Sequence, residues 1–162
     1  MLYAILDACD APSVTEKLRG LPETKARSLF KGSINESLSS IAPYIVEVTP
    51  ETLLWISAEL WREPWGIFAV PCVESAGDLE ALWSHFRKLL MVQSDGQWLY
   101  FRFYDPRVLP NFLHSCGSQQ AADVFGPCSM LGVATLAEQA QVSWLLIDEG
   151  AARLSLAAEG RS

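Results

Sequence analysis

Two histidines, His85 and His114, and four cysteines, Cys9, Cys72, Cys116 and Cys128, are the residues of this chain best suited to acid–base, nucleophilic or metal chemistry. Their spacing organises none of it locally. His114 and Cys116 are two apart, so on a helix they point to different faces, and a Cys–His pair would have to be assembled by the fold rather than by the motif. A metal site needs several neighbouring imidazoles, thiolates or carboxylates, and the cysteines are scattered with no C-x-x-C pair. Neither a metal nor a cofactor is therefore expected. Gly117-Ser118 lacks the lysine and the spacing of a phosphate-binding loop, and no G-x-S-x-G elbow occurs. Asp148 and Glu149 are adjacent acids in an expected turn, and His85, between Ser84 and Phe86, falls on a solvated or boundary helix position.

One segment concentrates unusual side chains: FRFYDPRVLPNFL, Phe101–Leu113. Asp105 can cap a helix that Pro106 starts and that runs through about Ser115, since proline's missing N–H costs nothing at the first helical position. Arg102, on a strand with both faces covered, needs a carboxylate or carbonyl partner, because an unpaired buried charge is costly. Arg107 in a first helical turn opposes the helix dipole and calls for a compensating partner. The segment reads either as an architectural strand-to-helix corner or as part of a binding surface.

The elements that must position it follow from hydrophobic spacing. Apolar runs predict strands over Leu2–Ala8, Tyr44–Val48 and Gly66–Val70, with a short helix from Ser13 to Arg19. Thr49 and Pro50 supply an N-cap and a first position for a helix to about Trp61, with Leu53, Ile56 and Leu60 on its buried face and Leu54 and Trp61 at the margin. Leu79, Leu82, Trp83, Phe86, Leu89 and Leu90 repeat at helical spacing after Ser75, and predict core packing against a sheet. Ser94-Asp95-Gly96-Gln97 predicts a tight hairpin leading into Trp98–Tyr104, read as a central strand with both faces covered. A second short helix follows from Ser118 to Val124, and Val142–Ile147 with Ala151–Leu156 predict a C-terminal β-hairpin. Strands alternating with helices argue for an α/β fold: a single domain, with a mixed sheet and flanking helices.

Composition bounds the function. Half of the 162 residues are hydrophobic, enough for a core and too much for a disordered chain. The formal charge of −7, with no Lys/Arg cluster, repels nucleic acid and anionic membrane surfaces, so neither is an expected partner. The N-terminus lacks a basic region and carries Asp7 within its apolar stretch, unlike a secretory signal, and no apolar run approaches a membrane span. The cysteines then read as free buried thiols in a cytoplasmic protein. Six tryptophans exceed the usual need of a core this small, and some of them suit a surface that a partner covers.

Several blocks, in order, carry a resemblance: YAILDA at the start, SLFKGS at 28–33, APYIVEV at 42–48, PWGIF at 64–68, LEALWSHFRKLLMV at 79–92, FRFYDPRVL at 101–109 and FGP at 125–127. In these the chain, over about residues 1–130, resembles the type VI secretion effector adaptors, also called effector chaperones. The resemblance implies a non-enzymatic protein without cofactors, which binds a toxic effector in the cytoplasm and helps to load it onto the VgrG spike. It implies partner-binding residues among the aromatic and charged side chains, here Trp61, Trp65, Arg102, Tyr104, Asp105 and Arg107. Many such adaptors continue into a C-terminal lobe, whereas residues 131–162 are expected to form only a short extension. Two other classes remain open: an immunity protein that blocks a toxin, and a small enzyme using Cys116 or Cys72 as nucleophile.

Overall fold

A computed structural model describes residues 1–9, 12–33, 35–38, 41–60, 66–72, 78–135, 141–148 and 151–156. The apolar N-terminal run forms β1 (Tyr3–Asp7), whose first four residues are buried. It lies between β3 (Pro43–Glu47) and β4 (Gly66–Pro71), antiparallel to both. Residues on both faces of these strands are buried, so an uninterrupted apolar sequence, not an alternating one, is what the position requires. Gly66 enters β4 beside β1, where an added Cβ would lie 2.6 Å from the Ile5 carbonyl oxygen; only glycine permits that approach.

Three further strands extend the sheet past β4: β7 (Cys128–Thr135), β8 (Gln141–Asp148) and β9 (Ala151–Leu156). With β2 (Ala26–Ser28) at the other edge, the order is β2-β3-β1-β4-β7-β8-β9. The α/β class, the flanking helices and the C-terminal hairpin are as expected. Every described pairing is antiparallel, however, so the sheet is not mixed in strand direction. At the β4–β7 seam Val70 pairs with Met130 and Pro71 with Cys128, which leaves Ser129 as an extra residue. This bulge accommodates a proline that could not donate to a regular ladder.

Among the described residues five α-helices flank the sheet and its margins: α1 (Pro12–Arg19), α2 (Pro50–Leu60), α3 (Asp78–Leu89), α4 (Leu109–Ser115) and α5 (Ser118–Phe125). The expected start of α2 is found: Thr52 N–H donates to Thr49 Oγ1 at 3.2 Å and Leu53 N–H to the Thr49 carbonyl at 2.8 Å. Its buried face agrees with expectation at Ile56 and differs at Leu53, while the side chains of Leu60 and Trp61 lie outside the described residues. Thr52 and Ile56, one turn apart, point inward, while Leu53 and Leu54 are exposed. Thr52 tolerates burial because its hydroxyl donates to the Glu47 carbonyl. In α3, Leu79, Leu82 and Phe86 are buried as the spacing predicts; its expected cap, Ser75, lies outside the described residues.

His85 takes the boundary position rather than the solvated one. Its Nε2 lies 3.0 Å from the Val124 carbonyl, and the ring fills the space where Gly126, at φ +52, has no side chain. Burial holds the imidazole pKa below its ordinary value, with a contribution from Lys88 and against the hydrogen bond to Val124. The four cysteines are free, but only Cys128 is buried; Cys9 and Cys72 are exposed and Cys116 is intermediate. Cys9 and Cys72 each follow the end of a strand, where the chain leaves the core.

Candidate functional site

After α3 the chain leaves the sheet altogether. β5 (Met91–Ser94) and β6 (Gln97–Tyr100) form a separate two-stranded ribbon. Asp95 at φ 50 and Gly96 at φ 77 make its two-residue turn, in the backbone region that Asp-Gly favours. The expected central strand through Tyr104 is corrected here. β6 ends at Tyr100, and all four of its residues are exposed. Trp98 is 66%, Leu99 47%, Tyr100 43% and Met91 42% exposed. The pairing sets Val92 opposite Leu99 on one face of the ribbon, and Met91 opposite Tyr100 and Gln93 opposite Trp98 on the other. Both faces thus carry apolar side chains that the described residues do not cover.

Beyond Tyr100 the same aromatic run dives into the core. Phe103 and Tyr104 are buried, and the Phe103 ring stacks on Phe86 with centroids 5.2 Å apart. The strand has already ended at Tyr100; Asp105 N–H closes a turn onto the Arg102 carbonyl at 3.0 Å, and the Asp105-Pro106 pair continues residues 103–108 as successive turns instead of opening a helix. Arg107 N–H donates to Asp105 Oδ1 at 2.9 Å, and Val108 and Leu109 N–H both reach the Asp105 carbonyl, at 2.9 and 3.1 Å. Asp105 therefore caps a turn, and α4 begins only at Leu109, with no side-chain cap.

Four of the six expected partner-binding residues meet at this corner: Arg102, Tyr104, Asp105 and Arg107. Arg107 grips Asp105 with Nε at 2.9 Å and Nη2 at 2.8 Å, a two-pronged guanidinium–carboxylate pair. Burial of Asp105 works to raise its pKa, but the hydrogen bonds and charge of Arg107, with the charge of Arg102, outweigh it and hold the carboxyl below the ordinary value. Arg102 pairs with Asp7 at 2.6 Å and lies 3.8 Å from Asp105. It is half-exposed, not enclosed on a covered strand as expected, because the strand has already ended. The dipole objection to Arg107 dissolves too, since Arg107 precedes the helix. Tyr104 Oη is 3.2 Å from Tyr100 Oη, and burial pushes both phenols above their ordinary pKa, so the pair is a neutral hydrogen bond. Trp61 and Trp65 lie outside the described residues.

Sequence reasoning missed the clamp at the base of the ribbon. The Phe30 ring meets Tyr100 edge-on at 6.3 Å. Phe30 belongs to the SLFKGS block, which is latched to α3: Trp83 Nε1 donates to the Ser28 carbonyl at 2.9 Å, and Arg87 donates to the Gly32 carbonyl. Arg27 and Arg87 each lie over the Trp83 ring, at 4.8 and 5.0 Å from its centroid, and Arg27 pairs with Glu80. Asp7 was missed as the partner of Arg102, although an acid inside an apolar strand is itself a signal of a fixed partner. Chemically, the corner is a neutralised ion network that anchors a protruding apolar arm. Among the described residues no group of three or more His, Cys, Asp or Glu is placed to hold a metal ion, and no helix is long and apolar enough to cross a membrane.

Comparison with known proteins adds one finding. The family model described as Domain of unknown function (DUF4123) matches residues 2–123, a stretch that includes β1, the SLFKGS latch, α3, the ribbon and the charged corner. No curated protein and no solved structure matches the chain. Since the match spans well over half of its length, the chain belongs to the family described as Domain of unknown function (DUF4123).

Proposed function

We propose that this chain is a non-enzymatic adaptor of a type VI secretion system, which holds a toxic effector in the cytoplasm and assists its loading onto the VgrG spike. The observation that carries this reading is the ribbon: Met91, Trp98, Leu99 and Tyr100, each more than two-fifths exposed, on an arm whose base is clamped by Phe30 and the Asp7–Arg102–Asp105–Arg107 network. Contiguous apolar surface is costly in water unless something covers it, and aromatic residues are enriched where proteins do so. A rigid base lowers the ordering cost of binding, so the clamp serves affinity as well as stability. The resemblance of the sequence blocks to effector adaptors, over the segment that the family match also spans, supports an effector as the partner.

The test is co-purification of the tagged chain from its own cells with mass spectrometry of what comes with it. An effector or a spike protein is expected, and Trp98→Ser combined with Leu99→Ser should lose it while circular dichroism shows the fold intact. Recovery of neither kind of protein, or undiminished recovery by the double variant, sinks the proposal.

A further inference from the structure

The two faces of the ribbon do not present the same surface. The Val92–Leu99 face looks across a groove of about 430 Å³ toward α4 and α5. Leu89, Val92, Leu99, Phe101, Phe112 and Val124 supply its apolar lining. Phe101, at the base of the ribbon, and Phe112 of α4 hold one another at 4.8 Å between ring centroids, which fixes the ribbon base against the helix wall. Asp123, exposed on α5, is the one charged residue of the lining among the described residues, and no described lysine or arginine contributes to it.

We infer that this groove docks an amphipathic helix of a partner protein, apolar along the seated face and carrying lysine or arginine beside it. Three observations select that occupant. First, the lining joins the ribbon to side chains of the two helices α4 and α5 and to Leu89 of α3, so its apolar surface is a trough between elements rather than one strand edge, which suits a helix seated in a groove. Second, about 430 Å³ falls within the range of specific binding pockets and suits a few anchoring side chains at i, i+3/i+4 and i+7, with the rest of the helix left in solvent. Third, the formal charge that the described residues bring to the lining is negative and the whole chain carries −7, so a cationic helix is steered in and an acidic one repelled. This deepens the adaptor reading and rests on it for the identity of the partner as cargo; the chemistry of the groove stands without it.

A display selection decides the matter without any cargo. A random library of helix-forming peptides is panned on the full chain, and the winners are measured against Leu99→Lys and Asp123→Lys. Both substitutions fall on exposed residues, and thermal unfolding confirms each fold. The expected winners space Leu, Ile or Phe at helical intervals and carry Lys or Arg. Leu99→Lys should weaken them about tenfold or more, and Asp123→Lys several-fold, as loss of an anchor and reversal of a rim charge do. Winners that are acidic, lack helical spacing or bind both variants undiminished overturn the inference, as does a library that yields no enrichment. A concentration-dependent dimer of the chain that Leu99→Lys abolishes would give the groove to a second copy and overturn it as well. A chain that selects cationic helices yet recovers no effector or spike from cells keeps the groove and loses the adaptor function.

Discussion

Trp98–Leu99–Tyr100 and Phe103–Tyr104 belong to one aromatic run, only two residues apart, and the molecule treats them in opposite ways. The first group stands in solvent on a two-stranded ribbon; the second is buried against Phe86 and beneath the ion network of Asp105. Side-chain type does not separate them, since each group holds large aromatics. What separates them is the break at Phe101–Arg102, where the strand has ended, and the turn that Asp105 N–H closes onto the Arg102 carbonyl at 3.0 Å, which carries Phe103 and Tyr104 inward. An isolated two-stranded ribbon is marginal in water, and this one is held by its base rather than by its own ladder. The contrast teaches that the buried half serves stability and the exposed half is available for contact.

The contrast breaks if both halves respond alike to truncation. Phe103→Ala removes a fully buried ring in contact with Phe86, Phe101 and Tyr104 and should cost about 3–5 kcal/mol, read from denaturant unfolding. A loss no larger than that of an exposed truncation would mean that the core does not depend on the inward turn.

Asp105→Ala is next in size. Its carboxylate is buried, but both cations that contact it reach solvent: Arg107 is 67% and Arg102 46% exposed. Neither is stranded by the substitution, so the expected loss is about 2 kcal/mol, that of charged hydrogen bonds, rather than the larger penalty of an orphaned buried charge. The sign with pH follows from the lowered carboxyl pKa. The contribution of Asp105 is present above the unfolded value of about 3.9 and is lost as pH falls from there through the lower folded value. Unfolding measured at neutral pH and near pH 3 should therefore show the wild-type chain losing more than Asp105→Asn. An equal loss in both would show that Asp105 is not held ionised by its arginines.

Local chemistry was legible in the sequence, and tertiary chemistry was not. The Thr49-Pro50 start of α2, the Asp95-Gly96 turn and the helix from Ser118 depend on neighbours within a few residues, and each stands where its residues predict. Asp105-Pro106 was ambiguous in principle, since a turn and a helix N-terminus ask for the same pair; the turn prevails because the Asp105 carboxylate is taken by Arg107. The edge strand β2 is three residues long and offers no period to detect. In β7, Gly132 and the bulge at Ser129 interrupt its pattern. Of the site, the corner was legible as a cluster, but the Arg102–Asp7 pair joins residues 95 apart, and the Trp83–Ser28 hydrogen bond residues 55 apart. Nothing in Trp98–Tyr100 itself announces exposure, because an aromatic run of that kind suits a central strand equally well.

The smallest expected effect on stability is the most informative. Trp98→Ser removes the largest side chain of the ribbon, and from composition alone a tryptophan is among the costliest residues to lose. At 66% exposure the side chain has little burial to forfeit, and its cross-strand neighbour is Gln93, so the change should fall within about 0.5 kcal/mol. The thermal midpoint should barely move, while contact with a partner is lost. A tryptophan that is neutral for folding but required for binding would be retained for what it meets outside the chain. A marked drop in stability would instead place Trp98 against the molecule's own core and remove the distinction between the two halves of the run.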